Sequence, residues 1–236
     1  MNRRNALGLA ALVMAASAAL LLRRLAHRSG ATQAEVDGSL PGDHLVPHPM
    51  LETTRAITIR APAVAVWPWL AQMGYHRGGW YTNAWLDKLI WRIDNPSADL
   101  LLAEYQHPQV GDTVPDGPEG TARFTIAAIE PGYALALHDH DGTHIPRVDF
   151  SWTFVVREID ATTARLLVRT RATYPPGMWM RPMAYLLAGP ADFLMAHVML
   201  MRGVKRRAER LRDEAMPGAY APLRTGATVG ITGQAV

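Results

Sequence analysis

The stretch VDFSWTFVVREIDATTARLLVRTRATY, residues 148–174, decides the fold. In its first half Phe150, Trp152, Phe154 and Val156 recur at every second position. In its second half Leu166, Val168, Thr170 and Ala172 share one side, while Arg165, Arg169 and Arg171 share the other with Leu167. Side chains alternate across a strand with a period of two, so these are two strands, Val148–Ile159 and Ala164–Tyr174. The turn Asp160-Ala161-Thr162 joins them as an antiparallel hairpin. One face is apolar and the other charged, which predicts a sheet buried on one side and wet on the other.

Working back towards the N-terminus, the same period continues. Tyr133–His138, Thr121–Ile129 and the short Val110–Val114 read as strands, separated by Glu130-Pro131-Gly132 and, before residue 148, Asp141-Gly142. Thr53–Arg60 alternates too, with Ile57 and Ile59 on one face. Ala61-Pro62 then opens a helix whose apolar stripe is Val66, Trp67, Leu70 and Met73 and which Gly74 ends. A second short helix is expected over Asn83–Ile90. Beyond Tyr174-Pro175-Pro176 the pattern turns helical as far as Ala188. Gly189-Pro190 interrupts it, and a long helix runs on to about Ala215 with Phe193, His197, Leu200, Met201, Val204 and Ala208 on one stripe. A sheet with one apolar face must bury it against something, and this last helix is the long amphipathic element available. The expected fold is therefore α+β: a curved antiparallel sheet wrapped around a long C-terminal helix.

Composition narrows the functional classes. The chain has 236 residues, 49% hydrophobic and 19% charged, as a folded protein requires. It has no cysteine, which excludes disulfides, thiolate metal sites and a cysteine nucleophile. Its net charge is +3 with a pI near 9.4. Of the 24 basic residues, however, Arg3, Arg4, Arg23, Arg24 and Arg28 lie in the first thirty positions, where there is no acid. The remaining 19 face 21 acidic residues. The basic character belongs to the leader, so a nucleic-acid partner is not expected.

That leader contains an uncharged run from Ala6 to Leu22. As a helix it spans ~25 Å, a little less than a ~30 Å hydrocarbon core, and arginines at both ends can snorkel to the headgroups. Residues 1–28 therefore read as an N-terminal transmembrane anchor. Arg23, Arg24 and Arg28 beside the run favour a cytoplasmic domain. A cleaved signal peptide is the alternative, with Ala16-Ser17-Ala18 as its cleavage site. Residues 29–51, broken by Leu40-Pro41-Gly42-Asp43 and Val46-Pro47-His48-Pro49, read as a linker. Residues 52–215 form the domain, and 216–236 a flexible tail.

Several pieces of the domain together resemble one branch of the SRPBCC superfamily, the START-like and polyketide-cyclase-like helix-grip proteins. They are Thr54-Arg55-Ala56-Ile57-Thr58-Ile59, Val66-Trp67-Pro68-Trp69-Leu70, Gln72-Met73-Gly74, Arg77-Gly78-Gly79-Trp80-Tyr81, Trp85-Leu86-Asp87, Val110-Gly111-Asp112, Trp152-x-Phe154, Arg165 to Arg171, and Arg202-Gly203-Val204-Lys205. The resemblance spans about residues 40–212, and a membrane leader is a common extra of that branch. It implies a helix-grip fold with a cavity between sheet and C-terminal helix. It does not imply one reaction, since members bind lipids, sterols, polyketides or other apolar molecules and only some are enzymes.

The expected function is thus membrane-tethered binding of a lipid-like or other apolar small molecule, with no cofactor. The alternative is a cyclase- or dehydrase-type enzyme using acid–base groups in the same cavity. Trp80, Tyr81, Trp85, Trp152, Phe154, Phe193, His197 and Met201 are the candidate ligand-binding residues, because large aromatics and adaptable methionines suit an apolar pocket. Ordinary core packing is the competing reading for each of them. His138-Asp139-His140-Asp141-Gly142-Thr143-His144 has metal-ligating residue types but reads as a polar hairpin tip. Arg77-Gly78-Gly79 lacks the spacing of a phosphate loop and reads as a tight turn.

Overall fold

A computed structural model describes residues 26–83, 96–119, 123–139, 148–174 and 192–214, together with Met14, Trp85, Lys88, Leu89 and Thr121. The apolar run 6–22 apart from Met14, most of the 83–90 segment, residues 140–147, the 175–188 segment and the tail 216–236 lie outside the described residues. Among the described residues no helix is long and apolar enough to cross a membrane.

The elements follow the expected order. They are α1 (Gln33–Asp37), β1 (Leu51–Ile59), α2 (Ala63–Ala71), β2 (Thr113–Pro115), β3 (Arg123–Glu130), β4 (Ala134–Asp139), β5 (Asp149–Asp160) and β6 (Thr163–Thr173). A final helix follows, π-wound over Phe193–Met201 and α-helical over Arg202–Glu214, here α3. The six strands form one antiparallel sheet in the order β1-β6-β5-β4-β3-β2. The fold is α+β with a C-terminal helix, consistent with a helix grip.

Register sorts the side chains of every strand onto one of two faces. Ile57 lies opposite Leu166, Arg55 opposite Val168 and Thr53 opposite Thr170. Phe154 faces Val168, Trp152 faces Thr170 and Leu137 faces Trp152. These residues share the inner face. The buried apolar ones among them, with Ile59, Val156, Leu135, Phe124 and Ile126, form the main core, joined by Val66, Trp69 and Leu70 of α2 and by Ala196, Leu200, Met201, Val204 and Ala208 of the final helix.

Four expectations need correction. The outer face is not wet over the middle of β1, β6 and β5, although Arg123 and Thr125 of β3 are exposed. Arg169 is only 3% exposed, and Leu40, Ala56, Ala134, Val155 and Leu167 form a second small core there. The cover is the segment expected to be a linker. Residues 29–51 include α1, whose start carries a reciprocal Thr32–Glu35 capping box, and this strap is clamped to β6 by Arg165, Arg169 and Arg171. In α2 the buried indole is Trp69 rather than Trp67. The 66, 69, 70, 73 spacing follows one helix face, and Trp67 stands a third of a turn away. In the final helix the π winding, with its i→i+5 bonds, rotates successive side chains away from the α-helical stripe. Ala196, Met199, Leu200 and Met201 are buried there, while Phe193 and His197 are half-buried.

Candidate functional site

The inner face divides into an aromatic end and an ionic end. At the aromatic end, Trp152 stands amid Trp80 (ring centroids 5.5 Å apart), Phe154 (5.4 Å), Phe150 (6.1 Å) and Phe124 (6.3 Å). Phe150, Trp152 and Phe154 are adjacent inner positions of β5, and Phe124 comes from β3. Trp80 is delivered by a tight loop. Gly74 and Gly79 bond each other's backbone in both directions, at 3.2 and 2.9 Å, and both have positive φ, where glycine avoids a Cβ clash. The Arg77-Gly78-Gly79 turn is therefore structural. Arg77 itself bonds the Ala71 carbonyl at 3.0 Å and lies over the Tyr105 ring.

The two neighbouring indoles differ in one respect. Trp80 Nε1 donates to the Asp116 carbonyl at 2.8 Å. Trp152 Nε1 is buried with no hydrogen-bond partner among the described residues. Trp69 Nε1 is likewise unpartnered, but Trp69 is packed edge-to-face with Tyr81 in the interior between α2 and the loop.

At the ionic end, Arg55 is 0% exposed on the inner face of β1. It pairs with Asp192, at the start of the final helix. Its guanidinium also donates to Thr53 Oγ1 at 2.7 Å and to the Ala26 carbonyl through Nε at 2.9 Å. Asp192 accepts in addition from Thr53 at 2.7 Å and Thr170 at 2.9 Å. The cluster pins the start of the final helix to β1 and β6, and fixes residue 26 at the sheet edge. Beside it, His197 stacks on Phe193 one turn earlier, with centroids 5.5 Å apart and planes 10° off parallel. Burial, then the Arg202 and Arg55 cations, lowers the pKa of His197, favouring the neutral ring at pH 7. Its Nδ1 is buried without a partner among the described residues.

The predicted site residues thus fall into separate places. Trp80, Trp152 and Phe154 are brought together. Phe193 and His197 sit at the ionic end, and Met201 is core. Tyr81 is wholly buried and structural: its hydroxyl donates to the Trp69 carbonyl at 2.7 Å, and Arg207 lies over its ring. The final helix crosses it so closely that a methyl group at Gly203 would lie 2.1 Å from the Tyr81 carbonyl oxygen. Trp85 is 61% exposed, outside the aromatic cluster. Sequence reasoning missed Phe124, Phe150, Arg55 and Asp192. For Arg55 the signal was present, since it has the parity of Ile57 and Ile59. His138, on the outer face, bonds Asp149 at 2.8 Å. Among the described residues no group of three or more potential ligands is placed to hold a metal; His140 and His144 lie outside them.

Set beside known proteins, the chain matches no protein-family model and no curated protein. Among solved structures it is similar to the Zhui aromatase/cyclase from Streptomyces sp. R1128, at 17% identity over 68% of this chain and 94% of that one, with a TM-score of 0.41. A polyketide-cyclase-like protein from Corynebacterium glutamicum is similar at 16% identity over 68% and 88%, TM-score 0.34. The Aha1 dimer from Colwellia psychrerythraea is similar at 14% identity over 62% and 97%, TM-score 0.34.

Proposed function

We propose that the protein binds a lipid-like or other apolar small molecule against the aromatic end of the inner face, and that residues 6–22 tether it to a membrane. The observation that carries the binding reading is the gathering of five aromatic rings from β3, β5 and the 74–81 loop at one end of an apolar sheet face. Aromatic and apolar side chains with a few placed polar groups are what small-molecule sites present to a ligand. The test is native mass spectrometry and solvent extraction of the purified full chain, followed by a lipid and sterol panel. A co-purifying apolar ligand, or saturable uptake from the panel, is expected; a chain that stays empty throughout overturns the reading. For the tether, the full chain stays in the membrane fraction through alkaline extraction, and a chain starting at residue 25 is released. Release of both would sink it.

One observation favours a second reading, acid–base chemistry of the cyclase or dehydrase kind. The lowered pKa of His197 favours a neutral imidazole, its buried Nδ1 has no partner among the described residues, and Tyr81 is already engaged, so proton transfer would fall to His197. In that case His197→Gln abolishes turnover of a bound substrate while leaving its affinity unchanged.

A further inference from the structure

We propose that the bound molecule carries no negative charge and is oriented by an acceptor oxygen that takes the Trp152 indole N–H. This rests on the binding reading above and deepens it. Trp152 is 7% exposed, so its N–H has been taken out of water without gaining a protein partner among the described residues. A buried donor left in that state costs about 1–3 kcal/mol, which a bound acceptor would recover. An indole nitrogen can only donate, so what completes it must accept: a carbonyl, ether or hydroxyl oxygen.

A trapped water fits the place poorly. An internal water needs two to four polar partners, and the rings around Trp152 are those of Trp80, Phe124, Phe150 and Phe154. The cross-strand neighbour, Thr170, gives its hydroxyl proton to Asp192 and so could offer a water an acceptor alone. Trp80 shows that the fold can supply a carbonyl to a buried indole, although the packed Trp69 has no partner among the described residues.

The charge of the ligand follows from what is already paired. Among the described residues the buried cations of this side are Arg55 and Arg207. Arg55 is taken by Asp192, Thr53 and the Ala26 carbonyl. Arg207 is taken by Asp99, the Ala98 carbonyl and the Tyr81 ring. Asp192 in turn is saturated by Arg55, Thr53 and Thr170. The aromatic end has an acid of its own in Asp139, 2% exposed and opposite Phe150. A ligand carboxylate buried here would therefore crowd a second carboxyl group and would displace one of these pairs or remain unpaired, and an unpaired charge is driven to neutralise. A neutral body carrying an acceptor oxygen meets neither penalty.

The experiment compares three probes of one shape: fluorene, 9-fluorenone and fluorene-9-carboxylate. Binding to the full chain in phospholipid nanodiscs is read from tryptophan fluorescence, with partitioning into empty nanodiscs subtracted. Fluorenone is expected to bind about fivefold to tenfold more tightly than fluorene, the worth of one hydrogen bond, and the carboxylate most weakly. Trp152→Phe keeps a ring and removes the donor, so the two neutral probes should then bind alike. In 15N-tryptophan-labelled protein, fluorenone but not fluorene should shift the indole proton that Trp152→Phe deletes; this reading uses the unaltered fold. Equal affinity of fluorene and fluorenone, tightest binding by the carboxylate, or a preference that survives Trp152→Phe overturns the inference while leaving the binding reading intact. Failure of all three probes to bind the folded chain counts against the binding reading and takes this inference with it.

Discussion

The two faces of the one sheet solve opposite problems. The outer face carries arginines in a row on β6, and each is neutralised by a chain segment that comes from far away in sequence. Arg169 uses all five of its N–H groups. They reach Thr54 Oγ1 (2.9 Å), Asp43 Oδ2 (2.7 Å) and the Gly38, Glu35 and Val36 carbonyls (3.0, 3.1 and 2.8 Å). The last three are the carbonyls that a short helix such as α1 leaves without intrahelical partners at its C-terminal end. The inner face is apolar over most of its area, and among the described residues it leaves buried ring nitrogens unpartnered at Trp152 and His197. A face whose β6 arginines are all paired with acids is scaffold; a face that leaves buried ring nitrogens unmatched among the described residues is where an occupant is to be sought.

On that contrast, damage to the matched clusters lowers stability and leaves ligand selectivity alone. The largest effect is expected at the ionic end of the inner face, which follows outer-face logic. Asp192→Ala strands Arg55 as an unpaired charge at 0% exposure. Breaking a buried pair in this way costs about 3–5 kcal/mol, or about 6–20 °C in Tm for a domain of this size. Replacing both partners, Arg55→Met with Asp192→Leu, should recover most of the loss, because two apolar groups leave no orphan charge. Thermal melts of the single and double variants decide the point. A double variant no better than Asp192→Ala alone would mean that the cluster acts through the threonines and the Ala26 carbonyl.

On the outer face, Arg169→Ala removes the charge itself, so the loss is smaller, about 2–4 kcal/mol from hydrogen bonds and stem packing. Urea denaturation measures it. The same variant should bind fluorenone as the parent does, and a changed fluorenone-to-fluorene ratio would break the separation of the two faces. Arg169→Lys should not restore stability, because a single ammonium carries three donors and cannot reach five acceptors spread around a guanidinium.

How much of this was readable beforehand depends on the range of the interaction. Residues 148–174 announced their strands because alternation is local, and the observed β5 and β6 begin and end within a residue or so of the expected limits. The strap was not legible. Its helix is five residues long, its apolar contacts Leu40 and Val46 are isolated among glycines and prolines, and its partners lie more than a hundred positions away. The charged row on β6 was legible as a row, but its partners were not, so solvent was the natural expectation. Trp80 and Trp85 looked equivalent in sequence. The tight turn at 74–79 and the positive φ of Tyr81 set the chain's path between them, and periodicity cannot report either. The π winding that turns His197 off the core stripe is equally silent in sequence.

The smallest expected effect tests how tightly the strap is held. Glu35 accepts from Arg165 at 2.7 and 2.8 Å and from the Thr32 backbone N–H at 2.7 Å. The Arg165 bond, partly opposed by burial and reinforced by Thr32, lowers its pKa from 4.5 to about 2. The unfolded chain therefore binds this proton more readily than the folded one. The contribution of Glu35 is fully present above pH 4.5 and is lost as pH falls towards 2. Glu35→Gln should accordingly flatten the fall in stability between those values, while leaving the plateau near pH 7 lower than that of the parent. The shift is confined to the outer face, so amide exchange in this pH range should rise first in residues 32–38 and only later in the β5 positions around Trp152. Simultaneous loss of protection on both faces would show that strap and sheet open as one unit, and that the outer cover is part of what holds the aromatic end together.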